Sequence, residues 1–154
     1  MWRIIASLFL GTVEDGNSLD GLNAAGISHI VNCAAELPCA FPDRFSYLHL
    51  ALHDPDEGLH DRIADAVSFI DLGRIHGNVL VYCHGAISRS PAVTLAYLIH
   101  NNNTFDVAIG ILRASLQTRP NDIFVRQISD YYQLDLTDDD IVMAIDTLGN
   151  SARA

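Results

Sequence analysis

The apolar positions change their period several times along the chain, and each change predicts an element. Residues 2–10 are almost uninterrupted apolar and read as one strand, closed by a turn over residues 11–16. Leu19, Leu22 and Ala25 give a short helix that Gly26 stops, and an apolar strand follows over residues 27–31. Residues 48–52 predict another strand, and residues 53–61 a polar loop. Ile63, Ala66, Val67 and Ile70 then recur at i, i+3, i+4 and i+7, one face of an amphipathic helix. Gly77-Asn78 turns the chain into a buried strand over residues 79–82. Ser90-Pro91 opens a helix that is apolar on most sides, with Pro where a missing N–H is harmless. Thr104 caps a helix bearing Phe105, Ala108, Ile109 and Leu112, and Asn121 caps one bearing Phe124, Ile128 and Tyr131. Strands alternating with helices predict an α/β fold, a central mixed, mostly parallel sheet flanked by helices.

Composition adds limits. With 154 residues, 49% of them hydrophobic and 18% charged, the chain is the size and make-up of one globular domain, without a case for disorder or repeats. No apolar run spans a bilayer, and residues 1–10 are too short and lack a cleavage pattern, so the expectation is a soluble, cytoplasmic protein. The basic residues number 9 and all are Arg. The absence of Lys excludes a Walker-A loop and a Schiff-base or pyridoxal-phosphate anchor. A net charge of −10 repels nucleic acid and anionic membranes, so neither is an expected partner. Any phosphate must be held locally, by Arg and backbone N–H groups. Cys33, Cys39 and Cys83 are odd in number and lack C-x-x-C spacing, which argues against a disulfide framework or a cysteine-rich metal site. The 7 His residues are scattered and give no metal signal.

The chemistry concentrates in Val81-Tyr82-Cys83-His84-Gly85-Ala86-Ile87-Ser88-Arg89-Ser90-Pro91. A buried strand delivers a thiol to a loop of small residues that runs into a helix N-terminus. Successive N–H groups of such a loop form an anion nest, and the helix dipole adds positive potential; both favour a thiolate nucleophile at Cys83. Arg89 can grip two phosphate oxygens at once. A lone Cys is more often a small buried hydrophobe, the reading kept for Cys33 and Cys39, and a lone Arg more often a surface charge. It is the spacing that promotes Cys83 and Arg89.

Cys83-x5-Arg89-Ser90 resembles the signature of cysteine-dependent protein tyrosine phosphatases, and Ile87-Ser88-Arg89-Ser90-Pro91 looks like their dual-specificity branch. Leu8-Phe9-Leu10-Gly11, Ile27-Ser28-His29-Ile30-Val31-Asn32 and Pro120-Asn121-x2-Phe124-x2-Gln127 are similar to other segments of that branch, in the same order. The resemblance implies a phosphatase domain over residues 1–136. The activity it implies is hydrolysis of phosphotyrosine, phosphoserine or phosphothreonine on a phosphoprotein substrate through a cysteinyl-phosphate, with no metal or cofactor expected. It implies Cys83 as nucleophile, Arg89 and the N–H groups from His84, Gly85, Ala86, Ile87 and Ser88 as the phosphate cradle, and Ser90 as partner of the thiolate. The family's general acid is an Asp roughly thirty residues before the nucleophile; Asp54 is favoured and Asp56 is the alternative. Asn32 is the expected side-chain support of the loop.

Two residues depart from the family pattern. Tyr82 stands where a loop-orienting His is usual, and supports the loop only if its hydroxyl reaches. Ala86 stands where Gly is usual, and carries a penalty of about 1 kcal/mol if that site needs positive φ. Residues 83–88 hold no Lys or Arg, which disfavours a phosphoinositide substrate. The competing functional class is a phosphate-binding pseudophosphatase that captures phosphoproteins without turnover. Residues 137–154 form an acidic extension outside the resemblance: Thr137 to Asp140 resembles a capping box, with Ile141, Val142, Ile145 and Leu148 on one helix face. That helix either packs on the domain or offers a dimer or partner contact.

Overall fold

The computed structural model describes residues 1–150. Five strands form one sheet in the order β1-β2-β5-β3-β4. These are β1 (Trp2–Ile5), β2 (Leu8–Gly11), β3 (Ile27–Ala34), β4 (Ser46–Leu52) and β5 (Asn78–Tyr82). The β1–β2 pair is antiparallel and the other pairings are parallel, in agreement with the mixed, mostly parallel sheet expected. The first predicted strand is two. Ser7 takes φ 65° and folds the apolar run back on itself as a hairpin. The expected turn after it contains one helical turn, α1 (Val13–Gly16), closed by a Thr12/Asp15 capping box.

The remaining helices are α2 (Leu19–Ala24), α3 (Ile63–His76), α4 (Arg89–His100), α5 (Phe105–Ser115), α6 (Asp122–Tyr132) and α7 (Asp138–Gly149). Their starts follow the sequence signals. Ser18 accepts from the Gly21 N–H, Thr104 from Val107, Asn121 from Ile123 and Thr137 from Asp140. Gly26, at φ 68°, ends the turn after α2 where a side chain would be strained. Helix α4 begins two residues before Pro91, which therefore sits inside the first turn and interrupts no hydrogen bond.

The pleat of β5 divides its residues between two cores. Val79, Val81 and, just past the strand, Cys83 join the large core that α3 to α7 complete. Leu80 and Tyr82 point to the smaller one, with Leu22, Ile27, Ile30 and Phe45. On that side the Tyr82 ring lies so close to α1 that a Cβ at Gly16 would come within 2.7 Å of it.

Helix α7 packs on the domain through buried Ile141, Ala144 and Leu148, whereas Val142, expected on that face, is half exposed. The Leu148 carbonyl accepts from the Thr118 N–H at 3.2 Å, so the helix end is joined to the α5–α6 connection. The last four residues of the expected extension, 151–154, lie outside the described residues. No helix among the described residues is long and apolar enough to cross a membrane.

Candidate active site

Parallel β2, β5, β3 and β4 run the same way, so the loops leaving Gly11, Tyr82, Ala34 and Leu52 gather at one end of the sheet. In α/β sheets that end is where ligands bind. The loop after β5 occupies its centre.

Cys83 is nearly fully buried, and its Sγ lies 3.1 Å from the buried Ser90 Oγ. The loop is held from outside by its carbonyls. His84 O accepts from Val13 N–H at 3.1 Å, Ile87 O from Arg119 N–H at 2.8 Å, and Ser88 O from Ala92 N–H at 3.0 Å. Among the described residues the N–H groups of residues 84–88 donate to no protein acceptor. Carbonyls engaged outward and amides left unengaged, at the N-terminus of a 12-residue helix, make an anion cradle. Ala86 takes φ 56° and Gly85 does not share that conformation. The left-handed position is therefore occupied by alanine, and the neighbouring glycine has not taken it over.

Arg89 projects from the first turn of α4, and its side chain is 12% exposed. Its Nη1 donates to the Glu36 carboxylate at 2.7 Å and to the Leu52 carbonyl at 3.1 Å. Burial pushes the Glu36 carboxyl up, but the hydrogen bond and charge of Arg89 and a backbone N–H outweigh it and hold the group below its ordinary range.

The two candidate acids have different surroundings. Asp54 is exposed, and its Oδ1 accepts a 2.9 Å hydrogen bond from the Ser88 hydroxyl, inside the loop. Ser88 Oγ in turn accepts from the Asn121 N–H at 3.0 Å, which ties the acid-bearing segment, the loop and the start of α6 together. Asp56 turns back into its own segment. It accepts from the His53 and Gly58 N–H groups at 3.0 and 2.8 Å and pairs with Arg62. The His53 N–H does most to lower its carboxyl; burial opposes, and Gly58 and Arg62 add to the lowering. Gln127, from α6, fastens the same segment by accepting from His60 N–H and donating to the Asp56 carbonyl.

The two expected loop supports are placed elsewhere. Asn32 Nδ2 donates to the Leu37 carbonyl at 2.7 Å and its Oδ1 accepts from Ala34 N–H at 3.0 Å, so it shapes the β3–β4 connection and not the loop. Among the described residues the buried Tyr82 hydroxyl has no hydrogen-bond partner, because the pleat directs the ring away from the loop into the smaller core. Burial raises its phenol far above the ordinary value. Glu36 and the bridging role of Ser88 were not anticipated. The contacts span 53 and 34 residues of sequence, and no spacing motif announces either one. Among the described residues no cluster of His, Cys, Asp or Glu is suited to a metal ion.

Known proteins are similar to this chain in sequence and in fold. The sequence model "Dual specificity phosphatase, catalytic domain" matches residues 8–134. Human dual specificity protein phosphatase 7 is 35% identical over 135 residues, covering 84% of this chain and 32% of that protein. The chain thus spans about a third of that curated relative's length. Among solved structures, human DUSP28 superposes with a TM-score of 0.80 at 26% identity, covering 86% of this chain and 96% of the other. A mouse putative dual specificity phosphatase complexed with zinc tungstate gives 0.79 at 28% identity, covering 86% of each chain.

Proposed function

The chain belongs to the dual specificity phosphatase catalytic-domain family, and from that premise we propose that it hydrolyses phosphate monoesters of phosphoproteins, at phosphotyrosine and at phosphoserine or phosphothreonine. The observation that carries the reading is the meeting of Cys83, Ser90, Arg89 and Asp54 around one loop, contributed by β5, α4 and the segment after β4.

In the first step the Cys83 thiolate attacks phosphorus and forms the S–P bond as the P–O bond to the leaving group breaks. Asp54 gives its proton to the departing oxygen. In the second step water attacks phosphorus, Asp54 takes its proton, and the S–P bond breaks with inorganic phosphate released. The Ser90 hydroxyl, donating to sulfur, stabilises the departing thiolate. Amide groups of residues 84–88 and the Arg89 guanidinium face the charge that grows on the phosphoryl oxygens. Asp54 is preferred to Asp56 because its carboxylate reaches the loop while that of Asp56 is consumed by two backbone N–H groups and Arg62.

The test is turnover of a chromogenic aryl phosphate, with and without chelator, by the wild-type chain and by Cys83→Ser. Chelator-insensitive turnover that disappears in Cys83→Ser, with phosphopeptide binding retained, is the expected result. Absence of turnover by the wild-type chain at every pH would instead assign it to the pseudophosphatases.

A further inference from the structure

The two anchors on Arg89 decide which edge of its guanidinium is left for phosphate. A guanidinium carries five N–H bonds in one plane. Nη1 supplies two of them, and both are engaged, one by the Leu52 carbonyl at the end of β4 and one by the Glu36 carboxylate in the turn after β3. Nε and Nη2 meet no acceptor among the described residues. What remains is a single flat edge with parallel N–H directions, which matches two oxygens of a tetrahedral oxyanion.

The anchors are unequal. Leu52 offers a neutral backbone oxygen, fixed by the parallel pairing of β4 with β3. Glu36 offers a charged oxygen on a side chain that is 49% exposed. Both bonds are charge-assisted through the guanidinium, but only Glu36 adds an opposite charge and the shorter contact, so it is the firmer restraint on rotation about the long arginine side chain. The same carboxylate brings a negative charge to the group that must attract a phosphate dianion. Its two effects therefore oppose each other: the hydrogen bond orients, and the charge weakens oxyanion capture.

We propose that Glu36 is a positioning residue for the phosphatase reaction, holding Arg89 Nη1 so that the Nε–Nη2 edge faces the phosphoryl group, while lowering the affinity of the resting site for free oxyanion. The proposal rests on the phosphatase reading given above. It accounts for a carboxylate placed against the one arginine the chemistry needs, a contact that would otherwise only impair binding.

Three variants separate the two effects. Glu36→Gln keeps an acceptor at the same reach and removes the charge. Glu36→Asp keeps the charge and shortens the reach. Glu36→Ala removes both. Orientation errors at a reacting centre cost up to 10²-fold, so Glu36→Ala and Glu36→Asp should each lower kcat by roughly 10- to 100-fold. Glu36→Gln should keep kcat within about threefold, because the tether persists. A half-exposed ion pair is worth at most about 1 kcal/mol, so Glu36→Gln should bind inorganic phosphate up to about fivefold more tightly. Circular dichroism melts confirm that each variant is folded; should Glu36→Ala fail to fold, the Gln and Asp variants carry the test.

A kcat in both Glu36→Ala and Glu36→Asp within twofold of wild type would overturn the proposal, and so would an equal loss in Glu36→Gln and Glu36→Ala. Inorganic phosphate binding, measured by calorimetry, reads the charge effect without turnover. If the wild-type chain turns over no aryl phosphate, the phosphatase reading fails, yet tighter phosphate binding by Glu36→Gln still supports a Glu36 charge effect on Arg89, and unchanged binding overturns it.

Discussion

Asp54 and Asp56, two residues apart, should give opposite phenotypes when each is changed to asparagine. Asp54→Asn removes the transferable proton and little else. The side chain is exposed, and the amide oxygen can still accept the bond from Ser88. Stability should stay within about 0.5 kcal/mol of wild type. General acid catalysis contributes about 10²–10⁴-fold, equivalent to about 2.7–5.4 kcal/mol of barrier. That loss should appear in kcat for phosphopeptides and aryl phosphates with poor leaving groups, and shrink towards none for aryl phosphates whose phenolate departs without a proton. Asp56→Asn should do the reverse. Its carboxylate accepts two backbone N–H bonds and pairs with Arg62, and hydrogen bonds to a charged group are worth about 1.5–3 kcal/mol. In a chain of this size each kcal/mol moves Tm by about 2–4 °C. The pH dependence has a definite sign. Folding lowers the Asp56 carboxyl pKa, so its contribution is complete above the unfolded carboxylate range and is lost as pH falls through the lower folded value. Asp56→Asn should therefore flatten the acid side of a Tm-against-pH curve and leave the leaving-group dependence of kcat alone. The assay is kcat over a series of aryl phosphates beside thermal melts at several pH values. If the leaving-group-dependent loss follows Asp56→Asn and is absent in Asp54→Asn, the assignment of the acid is wrong.

The other expectations concern the scaffold. Tyr82→Phe deletes a buried hydroxyl that has no partner among the described residues, so it should raise stability by about 1–3 kcal/mol with kcat/KM unchanged; a lower Tm would show that the hydroxyl is engaged. Ala86→Gly relieves a left-handed alanine worth about 1–2 kcal/mol, but it also removes a buried methyl worth about 0.8 kcal/mol and adds freedom to the unfolded chain. The net change by chemical denaturation should be under about 1 kcal/mol, with kcat/KM not reduced, and a loss above 2 kcal/mol would contradict the conformational argument. Leu148→Ala empties a fully buried site at the end of α7 and should cost about 2–5 kcal/mol; a loss below 1 kcal/mol would mean that α7 is not part of the folded unit.

Local signals were readable where they are complete within a few residues. Thr104, Asn121 and Thr137 announce helix starts because a capping oxygen and its N–H lie within three positions. Cys83 and Arg89 are readable as a pair because one loop contains both. The hairpin at Ser7 was not, since an apolar run continues through it and a serine at positive φ leaves no compositional mark. Alternation along β5 places Tyr82 and Cys83 on opposite faces, but it does not tell which face the loop turns towards, and so the fate of the Tyr82 hydroxyl was hidden. Asn32 stands at a strand end, where several partners are equally close in sequence. Only the fold shows that Leu37 and Ala34 engage it. The bonds that set the site's geometry, Arg89 with Glu36 and Ser88 with Asp54, join segments that meet only when β3, β4 and β5 align.

The fit of the Tyr82 ring against Gly16 couples what the two positions can hold. Ring carbons stand 2.7–2.9 Å from where a Cβ at position 16 would be, closer than carbon atoms pack. A side chain cannot be added at 16 while tyrosine occupies 82 unless the ring or α1 moves, whereas glycine at 16 leaves room for a shorter residue at 82. The effect of a change at 16 therefore depends on which residue stands at 82. Gly16→Ala is a damaging change in the present background and a near-neutral one after Tyr82 is shortened to Val. A substitution at 82 is consequently not interpretable from that position alone, because the space it may fill is set by the residue at 16.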